Sequence, residues 1–412
     1  MLNIIHTSDW HIGLQFFKCS RLAEQEDFLD WLLGVMISGK TDLLLVSGDI
    51  FDVPSPSSEV QSVFYSWLRR VKSGMPELQI VFTAGNHDSA ARLEAPEPFL
   101  RDWNIKLSGR VDRKKGVTDF DKFLVPVVKA GSAEAVCLAV PYLRVGDYPG
   151  GMTYEEGVRA FYDSALSRAS ALYPGIPVIA LGHLSAASAS VSEDDPAERQ
   201  FAGGLDWVDL SGFAEKFSYF ALGHLHRCQK VRGAENIMYS GSPLKMSFAE
   251  KGRASGIIGI ELDEGVLKKK EFIEYRSPVK LISATVDIPD EARSSEIEDI
   301  IGKSPVFSEL QPGQVTKYSP FVEIKIRSRV PRMEAPGVID RLFAGKAATL
   351  TRVLQVLTGK EEAERGKAAL SLEDLVKLDP VEIAGDYYLR RTGSGMPEQA
   401  AELIKKIMLE TD

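Results

Sequence analysis

Carboxylate, amide and imidazole side chains recur just after the strand-like apolar runs in the first half of the chain. Five of the six histidines follow such a run, which scattered core or surface histidines would not do. The side chains at these strand ends that could bind a metal ion are Asp9, His11, Asp49, Asn86, His183, His224 and His226. Groups of these types suit manganese, iron, zinc or magnesium better than soft metals. Seven candidate ligands are too many for one tetrahedral ion and enough for two.

Asp49 has the sequence position expected of a carboxylate shared by two ions. The apolar run 43–46 stops at Gly48, and Asp49 follows at once. A glycine there lets the chain turn and approach a ligand closely, at the strand end where open α/β sheets place their chemistry. Paired ions about 3.5–4 Å apart hydrolyse phosphate esters by stabilising the attacking and leaving oxygens. We therefore predict a two-metal centre bridged by Asp49, with His87 left as the general acid.

Helical and strand patterns alternate around these residues, as in a parallel α/β sheet. Apolar stripes predict helices over 22–36 and 59–72, the second with a capping box at Ser58 and Gln61. Another capping box, at Thr153 and Glu156, opens a third helix. Three later strand patterns carry no ligand-type residue and predict a second, more antiparallel layer. They lie at 237–240, 256–262 and 267–275.

Bulk composition limits the class of protein. A chain of 412 residues is too long for one ordinary core, so we expect two or three domains. The net charge of −9 argues against a broad basic surface for nucleic acid, although bound cations or local basic patches can still supply the contacts. Three widely spaced cysteines favour a reducing, cytoplasmic setting. We find neither a membrane-length apolar run nor a signal-peptide pattern, and expect no membrane association.

The last third of the chain differs in composition, because no histidine or cysteine follows residue 277. Strand patterns at 279–288, 320–327 and 349–356, with helical patterns between them, predict a small α/β domain without catalytic residues. The charged stretch from residue 359 is typical of a linker. Two amphipathic helical patterns from residue 371 cannot bury both apolar stripes alone, so they either dock on this chain or bind a partner helix.

Five separated blocks, in order, resemble the signature of the calcineurin-like metallophosphoesterases. The blocks are Asp9-x-His11, Gly48-Asp49-x-x-Asp52, Gly85-Asn86-His87-Asp88, Gly182-His183 and Gly223-His224-x-His226. The resemblance implies an α/β fold, a four-layer α-β-β-α sandwich of two mixed sheets. It implies two manganese ions, with magnesium as a possible substitute. The first ion would be held by Asp9, His11, Asp49 and His226, and the second by Asp49, Asn86, His183 and His224. His87 would be the catalytic histidine, oriented by Asp88, and a substrate role for Asp52 stays open.

More narrowly, these blocks resemble the DNA-nuclease subunits of bacterial repair complexes within that family. This implies a nuclease domain over 1–276, a DNA-capping α/β domain over 277–358, a linker over 359–370 and a helix-loop-helix over 371–412 that binds a coiled-coil ATPase. It implies a homodimer through helices 59–72 and 90–103, and a cytoplasmic, nucleoid-associated protein. The implied activity is 3′-to-5′ exonuclease on duplex DNA and endonuclease on hairpins or single strands, in DNA repair and recombination.

Two other functions compete with the nuclease hypothesis. A phosphoesterase for small phosphodiesters or phosphoproteins would not need the last third of the chain. A non-catalytic binding module would not need every candidate ligand together with His87. The segment from Gly34 to Thr41 matches the P-loop pattern, but it follows a helix and precedes a strand, so we interpret the match as chance. We interpret His6 as structural, and the basic clusters 110–115, 268–270 and 329–332 as solvated loops.

Overall fold

The computed structural model describes residues 1–114, 116–187, 189, 207–358 and 397. The predicted linker 359–370 and, apart from Pro397, the predicted partner-binding segment 371–412 lie outside the described residues. Among the helices of the described part, none combines the length and apolar character that crossing a bilayer requires.

The first large sheet has six strands. In spatial order they are Val266–Tyr275, Ser255–Asp263, Leu2–Thr7, Leu43–Ser47, Gln79–Thr83 and Ile105–Ser108. The last four run parallel, with Ile5 paired to Leu44 and Leu44 to Ile80. Ser255–Asp263 pairs antiparallel with Leu2–Thr7, so this sheet is mixed.

The second large sheet also has six strands and is mixed. In spatial order they are Gln229–Lys230, Ile237–Tyr239, Tyr219–Gly223, Val178–His183, Ser132–Ala139 and Leu124–Lys129. The middle four run parallel, and the strand at each edge pairs antiparallel. Shorter two-residue strands pair as Gln15–Phe16 with Cys19–Ser20, Arg113–Lys114 with Val117–Thr118, and Ser185–Ala186 with Trp207–Val208.

The predicted separate antiparallel layer was wrong. The strand Ile237–Tyr239 joins the second sheet beside Tyr219–Gly223, whereas the next two strands extend the first sheet. The reason is that Leu2–Thr7 would otherwise be an unpaired edge, which Ser255–Asp263 covers from the far end of the domain.

Alternating side chains divide the core into layers. Leu43 and Leu45 pack between the two sheets, whereas Leu44 and Val46 pack against helices on the outer face. Those outer helices are Leu22–Ser38 and Ser58–Gly74 on the first sheet, and Tyr154–Leu172 on the second. The predicted four-layer α-β-β-α sandwich is thereby confirmed.

The helix ends partly match the sequence predictions. Thr153 and Glu156 form the predicted capping box. The second helix is capped by Ser57 rather than Ser58, since the Ser57 side chain accepts from the Val60 N–H. The P-loop-like stretch from Gly34 runs through the end of the helix Leu22–Ser38, so it is not a phosphate-binding loop.

The helix expected over 90–103 is not continuous. It forms Ala90–Glu94, Glu97–Leu100 and a 3-10 turn Arg101–Trp103. Pro96 lies at the break, where its missing N–H and its ring oppose helix continuation. The homodimer contact through this segment and through Ser58–Gly74 stays a prediction.

The last third forms a third, three-stranded sheet. Its strands are Leu281–Asp287, Phe321–Ser328 and Thr349–Leu357, with helices Ile297–Gly302, Pro305–Glu309 and Ala335–Phe343. The described chain divides into two compact units. The larger contains Met1–Val286, Arg293–Ile326 and Glu334–Leu354; the smaller contains Asp287–Ala292, Arg327–Met333 and the stretch from Gln355. The domain borders at 276 and 358 stay predictions.

Trp67 should contribute strongly to the stability of the sandwich. Its ring is fully buried, meets Trp10 edge to face at 5.3 Å, and donates its Nε1–H to the Leu29 carbonyl at 2.7 Å. Trp67→Ala should lower the free energy of unfolding by about 3–5 kcal/mol, because it leaves a cavity and an unpaired carbonyl. Urea unfolding followed by circular dichroism measures this. The half-exposed Trp103 is the control, and an equal loss in Trp103→Ala would contradict the prediction.

Candidate metal centre

The seven candidate ligands lie where parallel strands of both sheets end. The first sheet contributes Asp9, His11, Asp49 and Asn86, and the second contributes His183, His224 and His226. Because the two sheets face each other, the carboxyl ends of their parallel strands meet at one edge. The structure therefore brings together the residues that the sequence separates.

Several ligand positions have unusual backbone geometry. Asp9, His11, Asp49 and His224 have φ angles of 53°, 44°, 50° and 98°. Such left-handed residues cost of order 1–3 kcal/mol each and persist only where their surroundings enforce them. Here the Asp9 N–H donates to the Gly48 carbonyl and the His11 N–H to the Asp49 carbonyl, each at 3.0 Å.

Asp49 occupies the centre of the cluster. Its Oδ1 accepts the His87 backbone N–H at 2.9 Å. Its Oδ2 lies 3.3 Å from His183 Nε2 and 3.6 Å from His11 Nε2, so it faces one histidine of each predicted ion site. A Cβ on Gly85 would lie 2.1 Å from Oδ1, so this glycine is needed for the close approach.

The remaining ligands group around Asp49 as two sets. Asn86 Oδ1 lies 2.9 Å from His183 Nε2 and 3.0 Å from His224 Nδ1, which gathers the donor atoms predicted for the second ion. The ligand atoms of Asp9, His11 and His226 lie within 4.8 Å of one another, as do those of Asp9, Asp49 and His183. The two sets therefore meet at the two aspartates.

The histidines present suitable nitrogens for cations. The buried His11 Nε2 has no hydrogen-bond partner among the described residues, which is costly for a polar atom away from water. His11 Nδ1 lies 3.3 Å from the Asp52 carboxylate, and His183 Nδ1 lies 2.9 Å from the Ser47 carbonyl. Such partners hold the proton on Nδ1 and leave the Nε2 lone pair for a metal. The residues present therefore fit a pair of divalent cations.

Electrostatics favours the ligand forms of these side chains. Burial alone would raise the pKa of Asp49, but the charge and hydrogen bonding of His183, with His11 and His87, lower it below its ordinary value. Burial opposes protonation of His183, yet Asp49 raises its pKa to about 9. Burial and the neighbouring His183 lower the pKa of His224 to about 3. Asp49 is therefore anionic and His224 neutral, and a metal would displace the proton of His183.

His87 differs from the ligands because its side chain is exposed. Its Nδ1 lies 2.9 Å from the carbonyl oxygen of Asp52. Asp88, expected to orient His87, is instead buried and accepts backbone N–H groups of Gly85, Ile50 and Phe51 at 2.9–3.1 Å. Its carboxylate therefore fixes the two ligand loops, and the observed contact on the His87 ring comes from Asp52.

Other polar residues support the centre without being ligands. His6 is buried, with Nδ1 3.0 Å from the Tyr219 hydroxyl, in agreement with its predicted structural role. The Ser8 hydroxyl donates to Asp9 Oδ2, and the Ser242 hydroxyl to the Asp9 carbonyl. Sequence analysis missed these serines, because a serine beside a strand end has no distinguishing signal.

A cavity of about 970 Å³ opens beside the ligands and is large enough for a substrate as well as ions. Besides the site residues His11, Asp49, Asp52, Asn86, His87, His224 and His226, its lining includes Phe16, Phe17, Phe248, Lys251, Lys325 and Arg352. The basic clusters singled out in the sequence are different residues. They pair with acids, as Arg110 does with Glu94 and Lys270 with Glu235.

Asp52 should influence metal affinity through His11. Asp52→Ala removes the carboxylate beside His11 Nδ1 but keeps the carbonyl that contacts His87. We expect manganese to bind the weaker site about 10–100-fold less tightly, as is typical when the partner of a ligating histidine is removed. Titration followed by electron paramagnetic resonance measures the affinity, with the exposed Asp102→Ala as control. Unchanged affinity would assign the Asp52 carboxylate to another task.

Comparisons with known proteins agree with this geometry. A family model described as calcineurin-like phosphoesterase matches residues 2–228. A Rhodobacter capsulatus protein, named as the SbcD component of the nuclease SbcCD, is 33% identical over 394 residues, which cover 92% of each chain. The protein of the same name from Escherichia coli K12 is 26% identical, covering 93% of this chain and 91% of its own.

A Danio rerio dimetal phosphatase structure aligns with 66% of this chain and 97% of its own, at 12% identity and a TM-score of 0.34, too low to add to the fold argument. The extent of the family match and the near full-length similarity to the Rhodobacter protein decide the assignment. This chain belongs to the calcineurin-like phosphoesterase family, among the proteins named as the SbcD component of the nuclease SbcCD.

Proposed function

We propose that this protein is a two-metal DNA nuclease that hydrolyses phosphodiester bonds with manganese, for which magnesium can substitute. The supporting observation is the meeting of ligands from two sheets around Asp49, with the unpartnered Nε2 of His11 facing its carboxylate at 3.6 Å. The names of the similar proteins from Rhodobacter capsulatus and Escherichia coli supply the class of activity.

Each residue near the cavity has a distinct role in this proposal. Bound together, two ions would activate the attacking water and offset the charge on the scissile phosphate. Asp49 would keep the two ion sites at a fixed separation. His87, whose Nδ1 is held by the Asp52 carbonyl, would present Nε2–H to the leaving oxygen and donate the proton. Asp88 would keep the loops that carry Asp49 and His87 in place through its three backbone contacts.

The finer parts of the proposal concern substrate and partners. We propose 3′-to-5′ exonuclease activity on duplex ends and endonuclease activity on single strands and hairpins, in DNA repair and recombination. The segment 371–412 would bind a coiled-coil ATPase like the partner that the name SbcCD implies. The helix Ser58–Gly74 and the broken segment 90–103 would form a homodimer, and the domain 277–358 would cap the DNA.

Cleavage of end-labelled DNA tests the proposal. The purified protein with manganese should shorten a 3′-labelled duplex from the labelled end and open a hairpin, and the ATPase with ATP should stimulate both. Removal of 371–412 should prevent that stimulation without stopping manganese-dependent cleavage. Hydrolysis of bis(p-nitrophenyl) phosphate without cleavage of any DNA, with or without the ATPase, would instead support the small-substrate phosphoesterase.

A further inference from the structure

Three cations share the large cavity with the metal ligands. Lys251 follows a 3-10 turn, Lys325 lies on the strand Phe321–Ser328, and Arg352 lies on Thr349–Leu357. Their presence is notable because the chain as a whole carries a net charge of −9. The acids among the lining residues are Asp49 and Asp52, which already face histidines.

A buried carboxylate positions two of these cations. Glu323 is fully buried and contacts both Nε and Nη2 of Arg352, and its Oε1 lies 3.4 Å from Lys325 Nζ. The Ser283 hydroxyl donates to the same Oε1 at 2.7 Å. Burying a charged pair adds little stability compared with an apolar pair of similar size. The group therefore serves better to orient cations than to hold the sheet together.

Aromatic rings fix the plane of the Arg352 guanidinium. Its central carbon lies 4.1 Å from the centroid of the Phe17 ring, and Phe17 stacks on Phe248 at 5.7 Å. With its face on Phe17 and two nitrogens on Glu323, the guanidinium retains Nη1 for a further acceptor. Arg352 is about one-third exposed and Lys325 slightly more, so both can reach a ligand in the cavity. Planar, pre-oriented guanidinium groups are suited to phosphate oxygens.

The positive lining continues into a second cavity of about 320 Å³, which Lys251 also lines. Its basic residues are Arg21, Lys245, Lys251, Arg253, Arg276 and Lys280, and its acidic residues are Glu24 and Glu274. A single small phosphate ester would use only the first cavity. A polyanionic strand can contact both, because successive backbone phosphates can lie on either side of Lys251.

We propose that Arg352, Lys325 and Lys251 form a clamp for backbone phosphates beside the scissile bond, and that the nucleic-acid strand continues past Lys251 into the second cavity. This inference rests on the proposed nuclease function and deepens it. The ligand is a strand several nucleotides long, and Glu323 is the positioning residue of the clamp. The clamp gives the centre a preference for oligonucleotides over small phosphodiesters.

The test compares a single-stranded 12-mer with bis(p-nitrophenyl) phosphate, both with manganese and the full chain. In Lys325→Ala and in Lys251→Ala, the ratio of kcat/KM for the 12-mer to that for the small diester should fall about tenfold. The slope of log KM for the 12-mer against log salt should flatten by about 0.7 for each backbone phosphate that is no longer bound. The control is Arg341→Ala, an exposed cation paired with Glu298 that lines neither cavity, and its ratio should match that of the wild type.

Arg352 needs a paired substitution, because removing it alone leaves the Glu323 charge buried and unpaired. Glu323→Gln with Arg352→Gln removes both charges, and thermal unfolding checks that the fold persists. A 12-mer preference equal to that of the wild type in all three variants would overturn the clamp while leaving the nuclease function intact. A wild type that cleaves the small diester but no oligonucleotide would overturn both. An equal loss on both substrates would assign these residues to the metal centre and overturn the clamp.

Discussion

Asp49→Asn should reduce manganese-dependent phosphodiester hydrolysis by about 10³-fold or more and lower the bound metal from two ions per chain to fewer than one. Asp49 is the carboxylate that faces a histidine of both ligand sets, at 3.3 Å and 3.6 Å. A neutral amide would give each ion a weaker ligand and would remove the charge that offsets two divalent cations. The loss should therefore exceed that from any ligand belonging to one set alone.

The substitution is suited to the position, because asparagine tolerates the left-handed backbone that Asp49 adopts. Metal content by mass spectrometry and initial rates on bis(p-nitrophenyl) phosphate provide two independent measurements. Asp102→Asn, the same change at an exposed position, is the control and should alter neither. Two ions per chain together with a wild-type rate in Asp49→Asn would refute the bridging role.

His87→Ala should lower kcat for DNA cleavage by about 10²–10⁴-fold, the range expected for loss of a general acid, with both metal ions still bound. The imidazole is exposed beside the cavity, and its Nδ1 contact to Asp52 points Nε2 away from that loop. DNA releases an alkoxide, which needs a proton, whereas a nitrophenyl ester releases a stable anion. The loss should therefore be much smaller on bis(p-nitrophenyl) phosphate.

The leaving-group comparison separates acid catalysis from metal binding. Asn86→Ala, one residue away, should lose metal and should slow both substrates alike, since Asn86 Oδ1 lies within 3.0 Å of two histidine nitrogens. Equal losses on both substrates in His87→Ala, with full metal content, would contradict the general-acid role.

The sequence predicted the centre well because strand ends have a local signal. Each ligand follows an apolar run that stops at a polar or glycine residue, and Gly48 has the predicted positive φ, with a Cβ that would meet His183 at 2.2 Å. Parallel strands then bring their ends together by geometry alone. This is why the relation between Asp49 and His183, distant in sequence, could be anticipated.

What could not be predicted depends on long-range pairing and side-chain direction. Nothing local shows that Ser255–Asp263 pairs with the first strand while Ile237–Tyr239 joins the other sheet. Asp88 was associated with His87 because they are neighbours, but the turn between them directs its carboxylate to backbone amides. The contact of Arg352 with Phe17 joins residues from opposite ends of the described chain. The break at Pro96, by contrast, had a visible signal that the resemblance outweighed.

The division of ligands between two sheets has a consequence for folding. A cation held by Asp9 or Asp49 from one sheet and by a histidine from the other can bind fully only after both halves have assembled. Its binding energy then counts toward the native state, by about 2.7 kcal/mol per site when the free ion is at 100 times its dissociation constant. Scarcity of the ion would thus weaken the enzyme twice, by removing its chemistry and by shortening the lifetime of the folded chain.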